Sequence, residues 1–381
     1  MPIYIDVSSA VHSKAGIGRY ASSLAQALVS HQPGRFALFY NRVKGSQPPA
    51  GLEDVPCRTV RAGYKPWRMA VWLGQLGGVG FNRLVPGAEL FHATEHLLPP
   101  LYGVPTVLTV HDMIFKLFRE HQKPLNYWYL NATMPLYCRR ADAIITVSQS
   151  SKRDIVAHYG LDPSKITVVY EAAAPEFRPA ASAGLEAVRR RYGLPERFAI
   201  HVGTIEPRKN LTRLIEALQM LRDSGLVVPL VVVGARGWLY DEFFRRLGEL
   251  GIRDDVYFPG FVPAADLPLL YSAATIALVP SVYEGFGLPV LEAMACGTPV
   301  VSSNRSSLPE LGGDAARYFD PYNVDEIAAA IREVWGDAER RQGMRARGLA
   351  QAARFSWERA ARETLAVYEG LLRRSLGAGE A

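Results

Sequence analysis

The sequence has few cysteines and lacks the long hydrophobic runs of a membrane protein. Its three cysteines, Cys57, Cys138 and Cys296, are far apart and lie in apolar or helical contexts, so they predict buried thiols rather than a disulfide framework or a cysteine-based zinc site. No apolar run approaches the roughly 18 uncharged residues that span a bilayer. Because the initial MPIYIDVSSA enters a strand-like pattern without a basic leader, we expect a cytoplasmic protein without a signal peptide.

Charge of neither sign dominates the 381 residues. Lys and Arg number 43 against 37 Asp and Glu, which gives a net charge of +6, while hydrophobic residues make up 49% and charged residues 21%. This balance excludes an intrinsically disordered or collagen-like chain. The length predicts two or three domains, and the modest positive charge favours an anionic partner such as a nucleotide, a phosphate or an acidic lipid without choosing among them.

Short apolar runs rich in β-branched residues alternate with helical patterns along the chain. Such strands between helices predict an α/β protein with parallel sheets covered on both faces. The Ala- and Pro-rich stretch 172–184 separates two sets of strand-helix units and predicts a linker. We therefore expect two doubly wound, Rossmann-like domains with a central cleft, at 1–175 and 176–355. The apolar runs are 3–7, 36–39, 106–110, 143–147, 166–169, 198–202, 227–233, 275–279 and 299–302.

The remaining segment, 356–381, predicts one amphipathic helix. Ser356 can cap it, and apolar side chains recur at helical spacing from Trp357 to Leu372. Such a helix needs an apolar surface to cover, and the first domain is a candidate for that surface.

A glycine-rich loop within 281–299 carries the strongest indication of a ligand site. A predicted strand runs into the loop 284–287, and a helix then opens at Leu288. Free backbone N–H groups at a helix N-terminus form an anion site, and glycines let a ligand approach the main chain. Glu284 and Glu292 bracket this loop, and carboxylates there can accept hydrogen bonds from sugar hydroxyls. The alternative is that both are ordinary loop and first-turn charges.

Two adjacent cations, Arg208 and Lys209, stand at the predicted N-terminus of another helix, 211–222. The helix dipole disfavours cations at that end, and a bound anion would offset the cost. The pair therefore indicates a diphosphate partner, with a solvated basic turn as the alternative.

Two histidine patterns follow strands in the first half of the chain. His111-Asp112 comes directly after the strand 106–110, at the edge where open α/β sheets bind ligands, and a histidine there can donate to a hydroxyl or stabilise developing charge. The alternative is a histidine that only holds the loop. His92 opens the H-x-x-E-H pattern of inverted zinc proteases, but Pro99-Pro100 follows at once and no third ligand is evident, so we expect no metal site.

The segment after the first predicted strand imitates a dinucleotide-binding fingerprint. Its Gly16-x-Gly18-x-x-Ala21 spacing fits, but several residues separate it from Val7, and Asn41 stands where an acidic residue would bind ribose. These departures argue against a nicotinamide dehydrogenase.

Basic and aromatic residues alternate over 58–85. Such a stretch can lie on an anionic membrane surface, and the alternative is a core-packed helix with a basic outer face. No nucleic-acid recognition module accompanies the charge, so we expect no nucleic-acid partner.

With these residues considered together, the chain resembles the retaining nucleotide-sugar glycosyltransferases of the GT-B fold, family 4. The resemblance runs over nearly the whole chain, and its most specific part is the paired-glutamate spacing of Glu284 and Glu292 within the glycine-rich loop. The motifs that carry it are GIGRY at 16–20, TVHD at 109–112, VS at 147–148, the segment 203–209, PSVYEGFGLP at 280–289, EAMA at 292–295, GTPV at 297–300 and FSW at 355–357.

The resemblance implies that the second domain holds the nucleotide. Arg208 and Lys209 would bind the phosphates, and Glu292 would accept hydrogen bonds from the ribose hydroxyls. The base would lie near Phe261 and Val262. Since cations and helix-end N–H groups can stabilise a departing diphosphate, we expect no metal and no cofactor besides the donor substrate.

Glu284 and His111 are the catalytic residues that the resemblance implies. Glu284 would hold the donor sugar, as a hydroxyl ligand or as a nucleophile, and His111 would contact the sugar from the first domain. Gly16 would let the first loop approach the donor and the acceptor. The sugar and its phosphate would also contact the backbone of Gly285, Phe286, Gly287 and Leu288.

The expected reaction is transfer of a hexose with retention of configuration. We favour mannose from GDP-mannose over a UDP-sugar, and a growing surface polysaccharide or lipid-linked glycan as the acceptor, with peripheral contact at the inner face of the membrane. Two alternatives stay open at this stage, a nucleotide-sugar epimerase on the same architecture and a non-catalytic protein that binds sugar nucleotides.

Overall fold

The computed structural model describes residues 1–12, 15–121, 123–260 and 262–377. The chain divides into two compact units: the first is Met1–Glu171 with the segment that begins at Ser356, and the second is Ala172–Phe355. Each unit holds its own parallel sheet, which confirms the α/β class and the two Rossmann-like domains. No helix among the described residues is long and apolar enough to cross a membrane.

In the described part of the first unit, seven parallel strands form one sheet. They are β1 (Ile3–Asp6), β2 (Phe36–Asn41), β3 (Cys57–Val60), β4 (Leu90–Ala93), β5 (Thr106–Val110), β6 (Ala143–Thr146) and β7 (Ile166–Val168). They pair in the order β3-β2-β1-β4-β5-β6-β7. The strand order reverses at β1, which pairs with both β2 and β4. Open α/β sheets bind ligands at such a switch point, beyond the carboxyl ends of the strands.

The second unit repeats this plan with a six-stranded parallel sheet in its described residues. The strands are β8 (Ala199–Val202), β9 (Leu230–Val233), β10 (Val256–Tyr257), β11 (Ile276–Val279), β12 (Val300–Ser303) and β13 (Ala316–Phe319). They pair in the order β10-β9-β8-β11-β12-β13, so the switch point lies between β8 and β11.

Helices provide most of the crossovers that parallel strands require, whereas β2–β3 and β4–β5 are joined by loops. The inner strands are buried along their whole length, as TVLTV in β5 and LVVV in β9 illustrate, which is typical of strands covered on both faces. The helices are α1 (Ser8–Val11), α2 (Ala15–His31), α3 (Tyr64–Gly77), α4 (Ile114–Leu117), α5 (Pro124–Arg140), α6 (Gln149–Tyr159), α7 (Ser182–Tyr192), α8 (Leu211–Asp223), α9 (Asp241–Glu249), α10 (Leu267–Ala273), α11 (Leu288–Ala295), α12 (Leu308–Gly312), α13 (Val324–Gly336), α14 (Ala338–Ala352) and α15 (Trp357–Gly377).

The last helix, α15, packs against α2 in the first unit. Ser356 caps it as predicted, because its Oγ accepts a hydrogen bond from the Arg359 N–H at 3.1 Å. On the side that faces the unit, Ala361, Leu365 and Tyr368 are buried. Burial of this apolar face, more than intrinsic propensity, stabilises such a helix.

The cysteines are not all buried, and the prediction for Cys57 was wrong. Cys138 and Cys296 are buried, whereas Cys57 is exposed. Cys57 is the first residue of β3, which lies at the edge of its sheet and is only partly covered. A local apolar context does not distinguish such an edge position from an inner strand.

Candidate active site

Two loops meet at the carboxyl edge of the second sheet. β8 leads to the 3-10 turn Pro207–Lys209, and the neighbouring β11 leads to the loop 280–287. The main chains of the two loops are joined, because the Val282 N–H donates to the Arg208 carbonyl at 3.0 Å. The switch point of this sheet therefore brings together the two segments that the sequence analysis selected for phosphate and sugar binding.

Glu284 lies at the centre of a cluster of cationic and polar side chains. Lys209 Nζ donates to Glu284 Oε1 at 2.6 Å, and Arg208 Nη1 donates to Glu284 Oε2 at 2.7 Å. Ser281 Oγ donates to the same Oε1 at 2.6 Å, and Arg208 also donates to the carboxylate of Glu206. The structure thus brings three predicted residues into direct contact and adds Ser281 and Glu206, which sequence reasoning had not singled out.

Burial and charge act in opposite directions on this cluster. Burial by itself raises the pKa of Glu284, but the charges of Arg208 and Lys209 outweigh it and lower the pKa to about 2. Burial lowers the pKa of Lys209, against the attraction of Glu284. Because Glu284 is only 8% exposed, solvent screens these charges little. Glu284 is therefore an anion at neutral pH and accepts hydrogen bonds only.

The cation pair has anionic partners within the protein. From the sequence alone, a bound anion is expected to offset the cost of placing Arg208 and Lys209 before α8, with a solvated basic turn as the alternative. In the structure Glu206 and Glu284 offset their charges, so the formal charges of the four side chains sum to zero. In the sequence, Glu206 could have indicated part of this pairing, because it lies only two residues before Arg208. Its backbone is extended, with φ of −152°.

Asn210 fixes the turn that carries these cations. It precedes α8 with a left-handed backbone, φ 58°, and its Nδ2 donates to the carbonyls of Pro280 at 3.1 Å and Pro321 at 2.7 Å. Asparagine tolerates the left-handed region better than most residues, and its side chain here joins three loops at the strand ends. This role depends on partners far away in sequence.

Two serines from the segment before α12 hold the glycine-rich loop. Ser306 Oγ accepts the Glu284 N–H at 2.8 Å, and Ser307 Oγ donates to the carbonyl of Glu284 at 2.9 Å and to that of Phe286. Buried backbone groups need such partners. The predicted residues Gly285 and Phe286 therefore belong to a loop whose shape is set by side chains about 20 residues away.

Gly287 ends this loop with a conformation that favours glycine. Its φ is +113°, and a Cβ would lie 2.8 Å from Leu308 Cδ2. α11 begins directly afterwards at Leu288, with Pro289 in its first turn. α11 therefore begins at the glycine-rich loop, the position at which the sequence analysis predicts an anion site.

Glu292, the second glutamate of the pair, lies in the interior. It is 1% exposed, and Tyr271 of α10 donates its hydroxyl to Glu292 Oε2 at 3.1 Å. Thr298 Oγ1 in turn donates to the Tyr271 carbonyl at 2.6 Å. Tyr271 and Thr298 are partners of Glu292 that the sequence analysis did not identify.

A cavity of about 560 Å³ opens beside the ends of β8 and β9, with Val262 on its wall. Its lining is largely apolar, and it includes one cation, Arg236, whose guanidinium lies 4.5 Å from the ring centroid of Phe244. Phe261, which was predicted with Val262 to lie near a base, is outside the described residues. Other lining residues are Ile205, Val232, Val233, Gly234, Ala235, Phe258 and Gly260.

His111 lies in the first unit, directly after β5 as predicted. Its Nε2 is 2.9 Å from the carbonyl oxygen of Thr94, and its Nδ1 is 3.7 Å from Glu171 Oε1. Burial lowers the pKa of His111, but Glu171 outweighs burial and the net direction is upward. Tyr20 packs against the ring edge-on, with centroids 4.6 Å apart. Sequence reasoning placed His111 correctly at the strand end and missed Glu171.

His92 is a strand residue that belongs to a buried hydrogen-bonded chain. It lies in β4, where its Nδ1 is 2.6 Å from the Tyr368 hydroxyl and its Nε2 is 2.8 Å from Thr109 Oγ1. Thr109 Oγ1 is also 3.1 Å from the Tyr20 hydroxyl. These hydrogen bonds thus join α15, β4, β5 and α2, and they give both ring nitrogens of His92 a partner within the protein.

Gly16 lies in the exposed first turn of α2, where a Cβ would meet no heavy atom within 4 Å. The residue that requires glycine is Gly18, because a Cβ there would lie 2.8 Å from the carbonyl oxygen of Ser9. Ser13 and Lys14, which precede this turn, lie outside the described residues. The close approach of the Ser9 carbonyl therefore explains why position 18 is glycine, whereas no described neighbour explains the glycine at position 16.

The basic and aromatic stretch 58–85 divides between core and surface. Trp67 is buried in α3 and stacks on Phe81 with centroids 5.7 Å apart, so these aromatic residues pack inside the unit. The outer face of α3 instead exposes Leu73 at 58% and Leu76 at 62%. The core-packed helix of the sequence analysis is therefore present, but its outer face is partly apolar.

Two family descriptions match the chain. Residues 15–177 match Glycosyltransferase Family 4, and residues 186–351 match Glycosyl transferases group 1. Together the two matches include the glycine-rich loop, the cation pair and His111.

Several known proteins with similar sequences are named as mannosyltransferases. O-antigen chain mannosyltransferase B of Escherichia coli is 38% identical over 283 residues, which cover 74% of this chain and 74% of the relative. MMP alpha-(1->4)-mannosyltransferase of Mycolicibacterium hassiacum is 30% identical over 292 residues, 71% of this chain and 67% of the relative. Among solved structures, sucrose-phosphate synthase from Thermosynechococcus elongatus shares the fold, with a TM-score of 0.78, 20% identity and coverage of 98% of this chain and 100% of that chain. The chain therefore belongs to the family 4 glycosyltransferases and has the GT-B fold.

Proposed function

We propose that this enzyme transfers mannose from GDP-mannose, with retention of configuration, to a glycan or lipid-linked acceptor during synthesis of a surface polysaccharide. The names of the Escherichia coli and Mycolicibacterium relatives support mannose, and the first of them supports a polysaccharide product. The observation that carries the proposal is the Arg208–Lys209–Glu284 cluster beside the N-terminus of α11. Cations, a sugar-binding carboxylate and helix-end N–H groups are the parts that a glycosyl diphosphate needs.

The diphosphate of the donor binds Arg208, Lys209 and the first-turn N–H groups of α11. As the glycosidic bond breaks, negative charge grows on the leaving phosphate, and these groups stabilise it without a metal ion. Because both cations are paired with carboxylates in the structure, the phosphates must replace Glu284 as their partner. The displaced carboxylate then accepts hydrogen bonds from the sugar hydroxyls.

Glu284 serves the sugar as a hydrogen-bond acceptor rather than as a covalent nucleophile. Ser281 donates to one of its oxygens, and beside Arg208 and Lys209 its pKa of about 2 marks a weakly basic carboxylate before the phosphates bind. Such a group holds its charge throughout the pH range in which enzymes work. Its role is to position the sugar and to favour positive charge at the anomeric carbon.

The nucleoside binds the cavity whose wall includes Val262. An apolar lining with one nearby cation, Arg236, suits a flat aromatic base that carries hydrogen-bond acceptors. Glu292 binds the ribose hydroxyls, and Tyr271 holds the carboxylate in place for them. His111 acts on the donor sugar, and Gly16 leaves room for the approach of the substrates.

Transfer is tested with purified enzyme, a mannose-containing acceptor and a panel of GDP-, UDP- and ADP-sugars, with release of nucleoside diphosphate as the readout. We expect release with GDP-mannose only when acceptor is present, the same rate in EDTA, and an α-linked product by NMR of the anomeric proton. Conversion of the donor without acceptor would support an epimerase instead. Binding of a nucleotide sugar without turnover in the presence of any acceptor tested would support the non-catalytic alternative.

Variants connect this reaction to the cluster. Lys209→Met is expected to weaken donor binding at least tenfold, because a charge-assisted hydrogen bond to phosphate is lost. Arg222→Gln is the matched control, since Arg222 is a surface cation on α8 that pairs with Asp255. Equal donor affinity in the two variants would contradict the assignment of the phosphate site.

We also propose that the outer face of α3 rests on an anionic lipid surface. Met69, Leu73 and Leu76 are exposed at spacings of four and three residues, which places them on one side of the helix. Lys65 is exposed one turn before them and supplies positive charge. In sedimentation with vesicles that contain phosphatidylglycerol, the double variant L73S/L76S should remain in the supernatant while the wild type pellets, and pelleting of both would refute the contact.

A further inference from the structure

His111 is held between two hydrogen-bond acceptors of the protein. Its Nε2 is 2.9 Å from the carbonyl oxygen of Thr94, and its Nδ1 is 3.7 Å from the carboxylate of Glu171. Neutral imidazole carries a proton on one nitrogen only, so one lone pair would face an oxygen lone pair in either tautomer. The doubly protonated ring presents an N–H to both acceptors.

The surroundings of His111 contain charges and dipoles of both signs. Glu171, which follows β7, and Asp112, the next residue in the chain, favour the cation, whereas His92 of β4 and burial oppose it. The rings of Tyr20 from α2 and His96 from the loop after β4 pack edge-on at 4.6 Å and 6.0 Å. From α6, Ser151 Oγ donates to the His111 carbonyl at 3.0 Å, which fixes the main chain. Both His111 and Glu171 are buried, so water weakens their attraction little.

We propose that Glu171 is a positioning residue that keeps His111 as a doubly protonated imidazolium, so that His111 acts in transfer as a fixed positive charge and not as a proton acceptor. The inference rests on the proposed function for the use of His111 in the reaction, whereas the charge state can be measured without any substrate. A histidine that acts as a base must be neutral, and activity would then fall at low pH. A fixed imidazolium keeps its activity at low pH and loses it as the pH rises through its pKa.

The charge state is measured by NMR on full-length protein with ¹³Cε1-labelled histidine. The chain has eight histidines, and His111→Asn identifies the His111 signal by its loss. We expect a wild-type midpoint above 6.5, and in Glu171→Gln a midpoint lower by about one unit or more, because removal of an opposite charge a few ångströms away shifts a pKa by roughly 1–3 units. Glu176→Gln, an exposed carboxylate on the following segment, is the control and should leave the midpoint unchanged.

The catalytic consequence is read from the dependence of kcat on pH. In Glu171→Gln the loss of activity at high pH should begin at lower pH, by the same shift as the NMR midpoint, while KM for the donor changes little. If kcat instead falls by one factor at every pH, Glu171 has a structural role only and the inference is overturned. An unchanged midpoint in an active variant also overturns it.

The two proposals fail in distinguishable ways. A shifted midpoint in a protein that transfers no sugar would refute the proposed function and leave the ion pair established. If Glu171→Gln does not fold, the wild-type titration and Glu171→Asp decide the question. A wild-type midpoint below 6.5 refutes the inference, and an unchanged high midpoint in Glu171→Asp supports the carboxylate as its source.

Discussion

The buried histidine of β4 should make the first unit sensitive to acid. His92 is fully enclosed, and burial together with the charge of His111 lowers its pKa from 6.5 to about 3. The unfolded chain therefore binds a proton at this site that the folded chain does not. A group of this kind contributes its full stability above the unfolded pKa of 6.5 and loses it as the pH falls toward the folded pKa of 3.

The size of the effect follows from the two pKa values. Between pH 7 and pH 5, the pH falls about 1.5 units below the pKa of His92 in the unfolded chain, which binds the proton there while the folded chain does not. Since each unit is worth about 1.4 kcal/mol, His92 lowers the free energy of unfolding by about 2 kcal/mol over this range. Glu284 changes little in this range, since its pKa is about 2 in the folded state. His111 acts in the opposite direction, because its pKa is raised and its contribution is lost as the pH rises. A comparison of wild type with His92→Gln removes the contribution of Glu284 and isolates that of His92, including its interaction with His111.

Native-state hydrogen exchange of the amides in β4 and β5 measures the prediction, with rates corrected for intrinsic exchange. Wild type should lose about 2 kcal/mol more protection than His92→Gln between pH 7 and pH 5. Glutamine can still bond Thr109 or Tyr368, so the variant keeps part of the hydrogen-bonded chain. His201→Gln is the control: His201 has a pKa lowered to about 4 by burial in β8, and its replacement should affect amides of β8 and β9 only. An equal loss of protection in β4 and β5 for wild type and His92→Gln would refute the reasoning.

Three shorter predictions concern the second unit and the last helix. Gly287→Ala should lower both the melting temperature and the rise in melting temperature that GDP causes, because φ is +113° and a Cβ would lie 2.8 Å from Leu308. A variant that matches the wild type in both quantities in a thermal shift assay would contradict this. Tyr271→Phe should cost roughly 1–3 kcal/mol in urea unfolding, since it removes a buried hydrogen bond to Glu292, whereas Tyr102→Phe at an exposed site should cost nothing measurable. Tyr368→Phe should loosen α15, seen as faster amide exchange in that helix, and unchanged exchange would show that the His92 contact does not hold it.

Most inner strands could be predicted from the sequence, with β4 as the exception, and most edge strands could not. Runs such as 106–110 and 275–279 are apolar because both faces of an inner strand are covered. β3, β10 and β13 lie at the edges of their sheets, where one side is open and residues such as Arg58 and Arg317 are tolerated. Their short, mixed sequences carry no strand signal, and Cys57 was mistaken for a buried thiol for the same reason.

The site residues fall into two similar groups: those that a local sequence motif indicates, and those that depend on contacts far away along the chain. Arg208, Lys209 and Glu284 lie in compact motifs whose residue types already indicate phosphate and sugar binding. Glu171, Tyr271 and the serines that hold the loop carry no such signal, because each acts only through a contact far away along the chain. The sequence also could not show that Glu284 pairs with both cations, since that requires β11 to lie beside β8.

In the proposed reaction, this neutralisation determines which ligands the second unit accepts. A free sugar offers only neutral hydroxyls, and these cannot displace the charge-assisted bonds from Arg208 and Lys209 to Glu284. A diphosphate can, because it brings its own negative charge to the same cations. Sugar binding should therefore depend on the phosphates: once they bind the two cations, Glu284 becomes available to the sugar hydroxyls beside the scissile bond. The enzyme then holds the sugar firmly only while it is attached to the nucleotide, and the bond between them is the one that transfer must break.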